Sequence, residues 1–392
     1  MKGMKRNSLK RMGGLALLLS SMSLFFLMTA EPAAASTTIP QRGTFISPTD
    51  PHIQYTGRIS FHNPERPMFN YPGTQIAATF TGTSIKLVGK PHSGYYMAQI
   101  DQAEPFKVAL SGERDSVVTL ATALPYGQHT VRLMYIIEGF DLRPEFWGFI
   151  VDPGCTLVDT PALPTRKIEY VGNSITCGYG NESMVASDPF EYETENHYYT
   201  YAALTSRALN AQHWVVARSG IGAYRNYNGP RTGNPDNRMT AQYEYTMYAE
   251  QSAHRKRSPQ EGERWDFSRY QPDVVCINLG TNDLSTPNYD LKLLKQGYKD
   301  LLAQVRRGNP KAAIVFLSGS MLGGKELELC KQTLNEVMDE AHKNGDKRIY
   351  RFDFSPQTGD LKFGASWHPS LWQHEKMAGE LTAYLRTLMK WF

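Results

Sequence analysis

Three short segments, far apart in the chain, carry residue types that together could perform acyl transfer. They are Gly172-Asn173-Ser174-Ile175-Thr176, Gly280-Thr281-Asn282-Asp283 and Trp367-His368-Pro369. A serine hydroxyl is a poor nucleophile near neutral pH and needs a base within hydrogen-bond reach. An imidazole such as that of His368, with an ordinary pKa of about 6.5, can take that proton and give it back. The Pro after His368 restricts the chain and so the direction of the ring. Asn282 offers a side-chain amide donor, and the backbone N–H groups of Ser174 and Gly222 would complete a three-donor oxyanion hole. Losing one such donor typically costs ~3 kcal/mol of transition-state stabilisation. Each segment alone also fits a bland reading, since Gly-Asn-Ser is a common turn and a lone histidine is often structural.

The elements that must position these groups follow from the surrounding pattern. The run Ile168 to Val171 reads as a buried strand, Gly172 permits a tight turn, and a helix can start at the hydroxyl residue. Ser174 would then stand at the carboxyl end of a strand beside a helix N-terminus. Strands are predicted over Lys167 to Val171, Trp214 to Ala217, Val274 to Leu279, Ile314 to Leu317 and Ile349 to Phe354. Between and after them lie amphipathic helices, one with Leu294, Tyr298, Leu301, Leu302 and Val305 on a single face, one over Lys325 to Lys343, and a last one carrying Met377, Leu381, Leu385 and Leu388. Strands alternating with helices argue for a flavodoxin-like, five-stranded parallel sheet, whose ligands meet the carboxyl ends of the strands. Ser174, Gly220 to Gly222 and Asn282 each follow such an end. The long segments Asn181 to Asn196 and Tyr227 to Ser268 are expected to shape a cleft there.

Residues 44 to 152 have a different texture: short alternating runs separated by turn signals at intervals of roughly ten residues, the spacing of an antiparallel sandwich. A jelly-roll β-sandwich is predicted over 36–158, with Tyr95, Tyr96, Phe146 and Trp147 assigned to its core. The Pro-rich stretch Asp159 to Thr165 is a linker to the second domain, 166–392. The first 35 residues have the basic, apolar and Ala-x-Ala layout of a secretory signal, so a secreted or periplasmic protein is expected. Cleavage there removes five basic side chains and Glu31, a net four positive charges, and the +4 of the full chain falls to zero. Nothing in that balance asks for nucleic acid or an anionic membrane. Cys155, Cys177, Cys276 and Cys330 are scattered without zinc spacing, so no metal and no cofactor is predicted.

In their order, Gly-Asn-Ser-Ile-Thr, Ser219-Gly220-Ile221-Gly222, Gly-Thr-Asn-Asp and Trp-His-Pro resemble the four blocks of the SGNH, or GDSL-like, hydrolases. With Gly57-Arg58-Ile59 in the sandwich and Asn278 to Asp283, the mature chain resembles carbohydrate esterase family 2. That resemblance implies a jelly-roll domain joined to an SGNH domain, and a secreted serine esterase removing acetyl groups from polysaccharides such as xylan or glucomannan. It also favours Gly222 over Gly220 as the oxyanion donor, through its Ser-x-x-Gly spacing. Two departures stand out. Asn173 replaces the family's Asp, and Ala365 and Ser366 occupy the places where a triad Asp precedes the His. A Ser174–His368 dyad, with a backbone carbonyl orienting the imidazole, is therefore expected. Trp367 and Tyr224 are the chosen sugar-facing aromatics, with Trp372 and Tyr179 as further candidates; core packing is the competing reading for each. A lipid esterase or thioesterase of the same superfamily and a non-catalytic carbohydrate-binding protein remain alternatives. The oligomeric state is left open.

Overall fold

The computed structural model describes residues 42–247 and 262–392. The expected signal segment therefore lies outside the described residues.

The first half forms short strands: β1 (Thr44–Ile46), β2 (Gln54–Thr56), β3 (Gln75–Gly82), β4 (Ile85–Gly89), β5 (Gly94–Ile100), β6 (Phe106–Leu110), β7 (Val117–Ala121), β8 (Gly127–Tyr135), β9 (Phe146–Val151) and β10 (Leu157–Val158). They make two antiparallel sheets, ordered β1-β9-β4-β7 and β10-β3-β8-β5-β6, with β2 paired to β3. Because side chains alternate faces along a strand, Ile76, Ala78 and Phe80 of β3 point to one side. There they share a core with Leu87, Tyr96, Leu133 and Phe149 from both sheets. Tyr95, Tyr96 and Phe146 belong to this core as expected. Trp147 is half-buried, its indole N–H donating to Glu145 at 2.8 Å.

The second half is built on five parallel strands, β11 (Arg166–Gly172), β12 (Ala211–Ala217), β13 (Val274–Asn278), β14 (Ala313–Ser318) and β15 (Ile349–Asp353), in the order β12-β11-β13-β14-β15. The connecting helices are α1 (Ser174–Cys177), α2 (Tyr201–Ala208), α3 (Met239–Gln242), α4 (Thr281–Leu284), α5 (Leu291–Gly308), α6 (Gly324–Lys343) and α7 (Leu371–Met389). Both faces of the sheet are covered, which is why its strands read as near-continuous apolar runs. On one face, Val171, Val275, Ile277 and Phe316 pack against α5 and α6 through Leu294, Tyr298, Leu301, Leu327 and Leu334. On the other, Ile168, Tyr170, Cys276 and Val315 meet α2 and α7 through Tyr201, Met377, Leu381 and Leu385.

A charge inside β11, Glu169, interrupts the apolar pattern, and the sandwich supplies its partner. Arg58 donates to it at 2.9 Å with both side chains buried, and the Tyr243 hydroxyl donates at 2.7 Å. The guanidinium also donates to the carbonyls of Tyr243 and Tyr245. The described part of the long segment 227–268 is thus drawn partly to this seam, whereas sequence reasoning had assigned it to the cleft. No helix among the described residues is long and apolar enough to cross a membrane.

Candidate active site

Strand β11 ends at Gly172, where a Cβ would meet Thr176 Oγ1 at 2.0 Å, so the turn into α1 tolerates only glycine. Asn173 caps that helix, its Oδ1 accepting from Ile175 N at 3.1 Å. This capping bond needs an acceptor oxygen and no charge, which explains how Asn serves where the family carries Asp. Ser174 follows as the first helical residue, and its Oγ lies 2.9 Å from His368 Nε2.

The imidazole reaches Ser174 from the turn Ala365–Trp367 before α7. Its Nδ1 faces two acceptors, the carbonyls of Ala365 at 3.1 Å and Ser366 at 3.2 Å. Since a carbonyl cannot donate, Nδ1 carries the proton and Nε2 is left as the acceptor for the serine hydroxyl. Both carbonyls can aim inward because Ser366 and Trp367 take left-handed backbone angles, φ 49° and 59°. Such angles cost an ordinary residue about 1–2 kcal/mol each, so something must impose them. The loop after α1 does so: Ala365 N donates to Gly180 O, Ser366 N to Asp188 O and Trp367 N to Ala186 O, at 2.9, 3.1 and 3.1 Å. Gly180 permits this approach, since a Cβ there would sit 2.3 Å from that of Ala365. Tyr179 stacks on the imidazole with ring centres 4.2 Å apart. Burial pushes the pKa of His368 down to about 4, against the two carbonyl bonds, which raise it.

At the end of the neighbouring strand, where Ala217 is in register with Gly172, lies the loop after β12. Asn282, second residue of α4, donates Nδ2 to Ile221 O at 2.8 Å. Its neighbour Asp283 is fully buried and accepts three backbone N–H bonds, from Ala223 at 3.0 Å, Tyr224 at 2.8 Å and Arg225 at 3.1 Å. Burial pushes the Asp283 carboxyl up, and those N–H bonds oppose the shift. Gly222 N donates to Asn226 Oδ1 at 3.2 Å, so the expected oxyanion donor is engaged within its own loop.

Two expectations about aromatics separate here. Trp367 is 57% exposed beside the base, where a sugar ring could reach it. Tyr224 corrects the sequence reading: it is only 2% exposed, and its hydroxyl accepts from Asp290 N at 2.8 Å. Asp283 pulls the backbone at 223–225 inward and takes that ring with it. The exposed ring on this loop is Tyr227, at 56%, with its N–H bonded to Gly220 O. Sequence reasoning also missed the anchoring by Asp283, which adjacency to Asn282 could have suggested, and the contact of Tyr179 with the imidazole. A cavity of about 500 Å³ lies at the seam beside the linker, lined by Gln54, Gln75, Arg132, Pro161 and Gln212 among others, and none of Ser174, Asn282 and His368 lines it.

A serine–imidazole pair and an Asn side-chain amide, carried after neighbouring strands at the carboxyl edge of a five-stranded parallel sheet, match the layout of a GDSL-like hydrolase. The GDSL-like Lipase/Acylhydrolase family model matches residues 170–380, and the Carbohydrate esterase 2 N-terminal model matches residues 55–161. The chain belongs to the GDSL-like lipase/acylhydrolase family, in its carbohydrate esterase family 2 branch, and is by class a carboxylic ester hydrolase.

Over 87% of its length the chain is 36% identical to the cellulase/esterase CelE of Acetivibrio thermocellus, of which it spans 40%. To an acetylxylan esterase / glucomannan deacetylase of Cellvibrio japonicus it is 29% identical, covering 88% of this chain and 91% of that one. Among solved structures, it is similar to a family two carbohydrate esterase from Clostridium thermocellum in complex with cellohexaose, with TM-score 0.77, 36% identity and coverage of 87% of this chain and 100% of that one. A family two carbohydrate esterase from Cellvibrio japonicus gives TM-score 0.78 at 27% identity, over 89% and 98%.

Proposed function

We propose that this protein is an exported esterase that removes O-acetyl groups from plant cell-wall polysaccharides of the acetylated xylan or glucomannan class, through an acyl-enzyme and a Ser174–His368 dyad. The observation that carries the reading is the 2.9 Å contact of Ser174 Oγ with an Nε2 whose acceptor state is fixed by two carbonyls on Nδ1. Ser174 Oγ attacks the acetyl carbonyl carbon as its proton passes to Nε2. The oxygen that becomes negative is met by the second hydrogen of Asn282 Nδ2, the first being held by Ile221 O. The backbone N–H groups of Ser174 and Gly222 add to it, the latter turning away from Asn226. Collapse of the intermediate expels the sugar oxygen, which takes the proton from His368, and water then repeats the sequence to release acetate. Neutral carbonyls stabilise the imidazolium less than a carboxylate would, but they fix tautomer and direction equally well.

The polysaccharide is supported by the names of the relatives and by two exposed rings, Trp367 next to His368 and Tyr227 on the loop after β12. Export rests on the N-terminal sequence. No cofactor and no metal enters any step. The purified protein should release acetate from acetylated xylan or glucomannan, and Ser174→Ala should lower that rate by at least ~10³-fold with the fold intact. Unchanged turnover in the variant would remove Ser174 as the nucleophile, and a wild type that releases no acetate would leave a carbohydrate-binding protein instead.

A further inference from the structure

The connection between β8 and β9 of the sandwich carries Glu138, which is buried and turns its carboxylate toward the hydrolase half. Both of its oxygens go to one residue of the hydrolase half. Oε1 accepts from Ser219 N at 2.6 Å, and Oε2 accepts from Ser219 Oγ. Ser219 opens the loop that continues through Gly220, Ile221 and Gly222. Gly220 is left-handed at φ 76°, and the Ile221 carbonyl is the group that holds Asn282 Nδ2. The loop is therefore gripped at its far end by Asp283 and at its near end by a carboxylate from the other domain.

The same residue also meets the segment that follows α1. Glu138 N donates to Glu195 Oε2 at 3.0 Å, and Glu195 stands on the segment between α1 and α2. The ligand atoms of Glu138, Glu195 and Cys177, the last residue of α1, all lie within 4.8 Å of one another, and all three residues are buried. Burial pushes both carboxyls up, Glu195 the further because Glu138 lies beside it; the Ser219 bonds and nearby Arg218 hold Glu138 lower. A buried carboxylate is an expensive way to join two domains, and apolar packing would do it at least as well. Spending both oxygens on the residue that opens the oxyanion loop is better explained by orientation.

We propose that Glu138 of the sandwich is a positioning residue of the hydrolase: by holding Ser219 at both its N–H and its hydroxyl, it sets the loop that aims Asn282 and Gly222 at the reacting carbonyl. This inference rests on the ester-hydrolysis reading above. It makes the sandwich a working part of the catalytic unit.

The test uses the full chain and 4-nitrophenyl acetate, with kcat, KM and melting temperature measured together. Ser219→Ala keeps the backbone bond and deletes one oxygen; it should lower kcat about tenfold with KM within about twofold. Glu138→Ala removes both bonds and should lower kcat ~100-fold, the scale expected of a small misplacement near the chemistry. The double variant should be no slower than Glu138→Ala, because both changes act through one contact. Glu138→Gln, which keeps an acceptor for Ser219 N, should recover most of the lost rate. Folded variants with wild-type kcat, or single effects that multiply in the double variant, would overturn the proposal. Should Glu138→Ala not fold, Ser219→Ala alone decides, and a melting-temperature loss without a kcat loss counts against positioning. Wild-type protein that fails to turn over the ester would sink the hydrolysis reading itself, whereas an active wild type with unaffected variants sinks only the role of Glu138.

Discussion

The two sides of the candidate site are held by opposite kinds of chemistry. On the base side, His368 is oriented by neutral backbone carbonyls, and among the described residues no carboxylate bonds to it. On the side of the proposed oxyanion donors, two buried carboxyl groups, Asp283 and Glu138, take between them five bonds from one short loop. Carboxyl groups anchor the loop proposed to aim the donors, and carbonyls alone orient the proposed base. Its difficulty is easy to see: a loop of backbone N–H groups has no side chains with which to fix itself, whereas an imidazole needs only a tautomer and a direction.

The contrast can be broken most forcefully at Asp283. Asp283→Ala orphans three buried N–H groups at about 1–3 kcal/mol each. A melting temperature several degrees lower and a large fall in kcat are expected, while the acid limb of the pH profile stays in place. A shifted acid limb would instead make Asp283 a remote partner of His368 and replace the dyad with a triad. Next in size, Asn282→Ala should lower kcat by roughly 10²–10³-fold with KM little changed, as for other lost oxyanion donors. Steady-state kinetics on acetylated oligosaccharide reads this, and a KM-only effect would move Asn282 from transition-state to ground-state binding.

A third experiment sharpens the base side. As the proposed base, His368 would act when neutral, and burial lowers its pKa from 6.5 to about 4. Plotted against pH, kcat/KM should fall only as pH drops through about 4, and an acid limb near 6.5 would show that the ring is better solvated than its packing under Tyr179 implies. The same shift destabilises the fold in acid: between 6.5 and about 4 the unfolded chain binds this proton and the folded one does not, so stability falls as pH is lowered through that window. The smallest effect belongs to Trp367→Ala, expected to raise KM for polysaccharide severalfold. An unchanged KM would assign sugar contact to Tyr227 instead.

Much of this arrangement was legible in the chain before any coordinates. The apolar runs located all five parallel strands to within a few residues, and the stripes on α5 and α7 are buried as their spacing required, apart from the half-buried Leu388 near the end of α7. The missing acid before His368 pointed to carbonyl orientation because Ala365 and Ser366 offer no carboxylate. What stayed hidden depends on long-range contacts. Tyr224 sits among polar loop residues and reads as exposed, yet the pull of Asp283, 59 positions away, buries it. Gly222 fits its motif, but its N–H is claimed by Asn226, a bond that no spacing rule announces. Glu138 lies 81 positions from Ser219 in a loop with no periodicity, so nothing local marks it.

The inverted backbone at Ser366 and Trp367 ties durability to speed. Glycine at 366 would ease the local conformational cost and free the turn to relax, and with it the carbonyls that keep the imidazole pointed. The enzyme would gain toughness and lose aim, so selection for heat resistance alone should push this corner of the molecule away from its working shape.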